Sequence, residues 1–136
     1  GWMQSQGVIK GDRVAAYIPN IQQAVETMLA AASLGAIYSS CSPDFGFNGV
    51  FDRFSQIEPK LLVTVDGYFY AGKKISRVAV IRQLKEKLPS LVHILVHDYS
   101  GKACDLVSEP ILFSSILTTE ICISESVISL TSFKPD

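Results

Sequence analysis

Apolar positions along the chain come as short unbroken runs that alternate with longer stretches of helical spacing. Residues 12–18 (DRVAAYI) follow a Lys-Gly-Asp turn and suit a buried strand, which Pro19 ends. Asn20 is then placed to cap a helix, with Gln23 in the capping-box position. Ile21, Ala24, Val25, Met28, Leu29 and Ala32 recur at helical spacing and predict one apolar face, with Gln22, Gln23, Glu26 and Thr27 opposite. Ala30, Ala31 and Ser33 are small enough to let that helix approach a sheet. Gly35 is placed for the left-handed residue that ends it. Residues 36–40 predict a second strand and Ser42-Pro43-Asp44 a turn. Asn48 is positioned to cap a second helix, with Val50, Phe54 and Ile57 as its buried stripe and Pro59 as its stop.

The run at residues 61–65 is wholly apolar or β-branched, which suits a parallel strand covered on both faces. Asp66-Gly67 turns the chain, and residues 68–72 predict a short extended segment. A third helix is expected over 74–88, with Ile75, Val78, Ile81, Leu84 and Leu88 inward. Its Lys85 and Lys87 lie where the helix dipole favours cations. Pro89 follows, then a fourth strand at 92–96. Strands alternating with helices predict an α/β fold: a three-layer parallel sheet with right-handed crossovers. The pattern fades near Gly101, and residues 111–133 mix Ile, Leu, Val, Ser and Thr with little helical phase.

Composition narrows the function. The 136 residues are 48% hydrophobic and 18% charged, with a net charge of −1, so a folded core is expected and a basic nucleic-acid surface is not. Residues 111–133 carry Glu120 and Glu125 among their apolar positions and make a poor membrane span. The start has no apolar leader segment, and the chain opens on Gly1 as if it continued a longer one. Cys41, Cys104 and Cys122 are odd in number and lack metal-ligand spacing, so they are read as reduced thiols packed as small apolar residues in a cytosolic protein. His93 and His97 flank an apolar strand and are read as structural.

Common catalytic motifs do not fit. The loop after the first strand, Pro19-Asn20, has neither dinucleotide-binding nor P-loop glycines. No Gly-x-Ser-x-Gly elbow occurs. Asp66 stands where a phosphoacceptor of a receiver-like domain would, but the acidic pair such a site needs is missing, so it reads as a turn residue. Two segments remain as ligand candidates. In Ser42-Pro43-Asp44-Phe45-Gly46-Phe47-Asn48, Gly46 permits close backbone approach. In Tyr70-Ala71-Gly72-Lys73-Lys74, a basic pair follows a glycine at an expected helix start and suits a phosphate.

Several runs taken together resemble the adenylate-forming acyl-CoA synthetases, and among them the acetoacetate–CoA ligases. They are Gly11-Asp12-Arg13-Val14, Pro19-Asn20, Met28-Leu29-Ala30-Ala31-Ala32-Ser33-Leu34-Gly35-Ala36-Ile37, Ser42-Pro43-Asp44-Phe45-Gly46, Asn48-Gly49-Val50, Asp52-Arg53-Phe54-Ser55-Gln56-Ile57 and Pro59-Lys60-Leu61. The resemblance implies that residues 1–99 belong to an adenylate-forming N-terminal domain and that 100–136 form a divergent tail. It implies a parent reaction in which ATP, magnesium, acetoacetate and CoA give acetoacetyl-CoA through an acyl-adenylate, in cytosolic lipid metabolism. By the same resemblance Gly46 borders the CoA channel and Lys73 meets the nucleotide end of CoA, while Tyr70 stands where related enzymes carry arginine. The family's Ser/Thr/Gly-rich phosphate loop has no match here, so no catalytic residue, metal ligand or cofactor of its own is expected in this chain, nor activity from it alone. The alternative is a non-catalytic module that pairs with a full-length ligase through an open sheet edge.

Overall fold

The computed structural model describes residues 2–97 and Tyr99. Its order is α1 (Trp2–Ser5), β1 (Arg13–Tyr17), α2 (Gln22–Ser33), β2 (Ile37–Cys41), α3 (Phe47–Ile57), β3 (Leu61–Val65), β4 (Gly67–Tyr70), β5 (Lys73–Ser76), α4 (Val78–Lys87) and β6 (His93–His97). Four strands form one parallel sheet in the order β2-β1-β3-β6. Residues 104 and 122, and the apolar 111–133 segment, lie outside the described residues.

Pleating divides the core in two. Ala15, Tyr17, Leu62, Ile94 and Val96 face α3 and α4, where Val50, Phe54, Ile81 and Leu84 complete a buried cluster. Val14, Ala16, Leu61, Val63 and Val65 face the other way, against Ala30 and Ala31 of α2 and Met3 of α1. All five residues of β3 are buried, as its unbroken apolar run predicts for a parallel strand covered on both faces. Connections leave β1 toward β2 and β3 toward β6, in opposite directions, so the switch point lies between the carboxyl ends of β1 and β3.

The amino edge is tied together by cations on backbone carbonyls. Arg13 donates from Nε to the Ile57 carbonyl at 2.8 Å and from a terminal nitrogen to the Glu58 carbonyl at 3.0 Å, closing the end of α3. Lys60 donates to the Gly7 carbonyl at 2.7 Å and reaches Asp12 at 3.3 Å. The backbone N–H of Ile9, then Lys60, holds the Asp12 carboxyl below its ordinary range against an opposing effect of burial. Gly35 ends α2 as predicted. Its φ is +72°, and Gly35 and Ala36 donate to the carbonyls of Ala32 and Ala31 at 3.1 and 2.9 Å, the paired bonds of a Schellman motif.

Four expectations are corrected. Asn20 does not cap α2. Ile21 takes that position, because its N–H bonds back to the Pro19 carbonyl at 2.8 Å and leaves Asn20 outside the helix. Gly46, not Asn48, precedes α3, and its carbonyl accepts the first helical bond from Val50 at 3.1 Å. The buried side of α2 is Thr27, Ala30 and Ala31, while Val25, Met28 and Leu29 are 52%, 44% and 43% exposed. Alanines seat the helix close to the sheet, and the larger side chains turn outward. Finally, residues 73–76 are not helical: they form β5, paired antiparallel with β4.

Candidate functional site

Both candidate segments follow carboxyl ends of parallel strands, where open α/β sheets place their ligand crevices. The loop of residues 42–46 leaves β2 and is anchored from three sides. Phe45 closes a tight turn by donating its N–H to the Ser42 carbonyl at 3.2 Å. Arg53 of α3 donates to the Ser40 carbonyl at 3.2 Å and lies 5.6 Å above the Phe45 ring. From below, the hydroxyl of Tyr17 donates to the carbonyl oxygens of Pro43, at 2.9 Å, and Phe45.

Tyr17 is the last residue of β1, and its side chain is fully buried. Burial pushes its hydroxyl up to about 12, against the opposing charge of Arg77. Cys41, at the end of β2, is buried beside this loop, and desolvation raises its thiol as well. It packs as a small apolar residue and is not poised as a nucleophile.

Gly46 sits at φ −73° and ψ 174°, an extended conformation open to any residue. A Cβ built there meets nothing within 4 Å. The fold therefore has no steric use for a glycine at this position.

The second segment is a hairpin. Ala71 and Gly72 both have positive φ, +50° and +75°, and join β4 to β5 as a two-residue turn of the type hairpins favour. Lys73 thus pairs with Tyr70 across the hairpin rather than opening a helix, and both are exposed. At strand rise the end of β4 stands roughly 13 Å along the chain from Asp66. Phe69 carries the Lys74 ammonium over its ring at 6.0 Å and meets Tyr99 edge-on at 5.5 Å.

Asp66 holds the base of the hairpin. It is wholly buried and accepts the Tyr99 N–H on its carboxylate at 2.7 Å. Its carbonyl accepts the Arg77 N–H at 2.8 Å, and its own N–H donates to the His97 carbonyl at 3.3 Å. Arg77 lies 5.1 Å over the Tyr68 ring. Asp66 is therefore a turn residue, as read from sequence, that also joins β3, β6 and the hairpin.

Gly46 and Lys73 lie on separate segments that follow the carboxyl ends of different parallel strands, β2 and β3. Sequence reasoning missed Tyr17, Arg53 and Arg77. For Tyr17 the sequence signal is a polar tip within the buried run 12–18, which calls for a hydrogen-bond partner but does not say where it lies. Among the described residues no three His, Cys, Asp or Glu side chains converge to hold a metal, and no helix is long and apolar enough to cross a membrane.

Comparison with known proteins places this geometry in context. The sequence profile of the AMP-binding enzyme family matches residues 1–111. Acetoacetyl-CoA synthetase of Macaca fascicularis is 55% identical over 110 residues, covering 79% of this chain and 16% of that protein. Acetoacetyl-coenzyme A synthetase of Rhizobium meliloti (strain 1021) is 51% identical over 104 residues, covering 76% of this chain and 16% of its own length. The solved structure of acetoacetyl-CoA synthetase from Streptomyces lividans superposes with a TM-score of 0.70 at 42% identity, over 74% of this chain and 16% of that one. The chain thus spans about one sixth of the length of the relatives it matches.

Proposed function

From the premise that the chain belongs to the AMP-binding enzyme family, we propose that it builds one wall of the CoA site of an acetoacetate–CoA ligase. The parent reaction joins acetoacetate to CoA at the expense of ATP, through an acyl-adenylate. The observation that carries the reading is Gly46. A glycine with ordinary φ and open space above it has no steric reason within the chain, and its capping of α3 is a task Ser, Asp or Asn does as well; a ligand laid against its backbone supplies a reason for glycine. Lys73, exposed on the hairpin, offers a mobile ammonium to the phosphates at the nucleotide end of CoA, with the Tyr70 ring beside it.

The same reading assigns residues 1–99 to the adenylate-forming domain and 100–136 to a tail of different character, in a cytosolic protein. It gives this chain no part in adenylate formation by itself. That step requires donors around developing phosphate charge, which the family concentrates in a Ser/Thr/Gly-rich loop. No such run occurs in the 136 residues.

The test is calorimetric titration of the chain with CoA, beside an assay of AMP release with acetoacetate, ATP and CoA. Gly46→Ala is the informative variant. Alanine gains a few tenths of a kcal/mol from a less flexible unfolded chain and loses about as much as a poorer helix cap, so stability should stay within about 0.5 kcal/mol. CoA affinity should nevertheless fall several-fold, and Lys73→Ala should lower it further. Undiminished CoA binding by both variants would remove the assignment, and AMP release by the unaltered chain would contradict its catalytic incompleteness.

A further inference from the structure

Residues 42–46 close on a backbone bond from the Phe45 N–H to the Ser42 carbonyl, and one buried side chain adds two bonds to the loop. We propose that Tyr17 is its positioning residue: from the last position of β1 its hydroxyl clamps the carbonyls of Pro43 and Phe45 and so sets the backbone of Gly46. The link from that backbone to a ligand rests on the CoA reading above; the clamp itself does not.

Three observations carry it. First, the donor is rigid. The Tyr17 ring belongs to the core cluster with Val50 and Phe54, and its own carbonyl accepts the Thr64 hydroxyl at 2.7 Å. The clamp is therefore fastened to the central strand β3, next to the switch point. Second, the hydroxyl holds one proton between two carbonyls placed two residues apart, so it constrains the curvature of the loop and not just one contact. Third, the second clamped residue, Phe45, immediately precedes Gly46, whose glycine has no steric cause in the fold. Arg53 holds Phe45 only from the outer side, through its ring, and does not bond the Pro43 or Phe45 carbonyls in its place.

A purely structural tyrosine and a loop clamp differ in what they perturb. In the full chain, Tyr17→Phe should speed amide exchange at Phe45, Gly46 and Phe47 about tenfold, the scale of one lost buried hydrogen bond. CoA affinity should weaken by about the same factor. Ile81→Val, which loosens the same core from α4, should leave loop exchange and CoA affinity as they were. If Tyr17→Phe leaves loop exchange unchanged, or if Ile81→Val alters it equally, the clamp is overturned. Should Tyr17→Phe fail to fold, the wild-type hydroxyl decides: a slowly exchanging Tyr17 proton resonance supports the clamp and a freely exchanging one refutes it. If loop exchange responds while the wild-type chain binds no CoA, the clamp stands and the CoA reading fails.

Discussion

Gly35 is required by its backbone conformation. Its φ of +72° is costly for an L side chain, and a Cβ there would stand 3.0 Å from Cγ of Lys10. Lys10 is exposed and can swing aside, so the backbone term dominates. Gly35→Ala should lower stability by roughly 1–2 kcal/mol in denaturant unfolding. Gly46 is the opposite case, which is why its substitution reports on a ligand. Tyr17 adds a pH signature. Its hydroxyl titrates near 12 when folded against about 10 for a free tyrosine, so the folded state holds the proton more tightly. That contribution is fully present below pH 10 and is lost as pH rises from about 10 to 12, because the unfolded chain ionises first. Unfolding titrations at pH 8 and pH 11 should show lower stability at the higher pH, and Tyr17→Phe should reduce that difference.

Elements here are closed by contacts that local sequence does not announce. α3 ends on Glu58 with φ +49°, without a glycine, because Arg13 gathers the carbonyls of Ile57 and Glu58 from the start of β1. Arg13→Ala should cost roughly 1–3 kcal/mol, the scale for charged donors on carbonyls. Exchange should accelerate first in the last turn of α3. The hairpin was legible only in part. Residues 68–72 read as extended chain, but Ile75 also fits the spacing of Val78 and Ile81, so the helical pattern runs backward over β5. Periodicity cannot separate a strand from a helix over four residues; the paired register decided it. In α2 the helical period holds but the phase differs, with Thr27, Ala30 and Ala31 inward in place of Val25, Met28 and Leu29. Counting apolar residues favours the side with the largest ones, whereas packing favoured the alanines.

At the scale of the molecule, the outward side of α2 presents Val25, Met28 and Leu29, and the neighbouring edge strand β2 exposes Ile37 at 54%. Apolar residues grouped on one helix face and a sheet edge mark surface that further protein normally covers. The chain should bind a hydrophobic-surface dye, and Met28→Lys with Leu29→Ser should lower that signal at little cost in stability, since neither side chain supports the core. An unchanged dye signal would locate the exposed surface elsewhere. Legible in the chain alone are the strand–helix alternation, the parallel sheet, the doubly covered run of β3 and the glycine stop of α2. Each follows from a run, a period or a backbone preference contained within a few neighbouring residues. Tertiary structure alone decided which side of α2 is buried, how α3 is closed, and that Tyr17 reaches the loop before Gly46. Those outcomes depend on contacts between residues 26 to 45 positions apart and on how closely a helix can sit against its sheet. No local pattern carries that information.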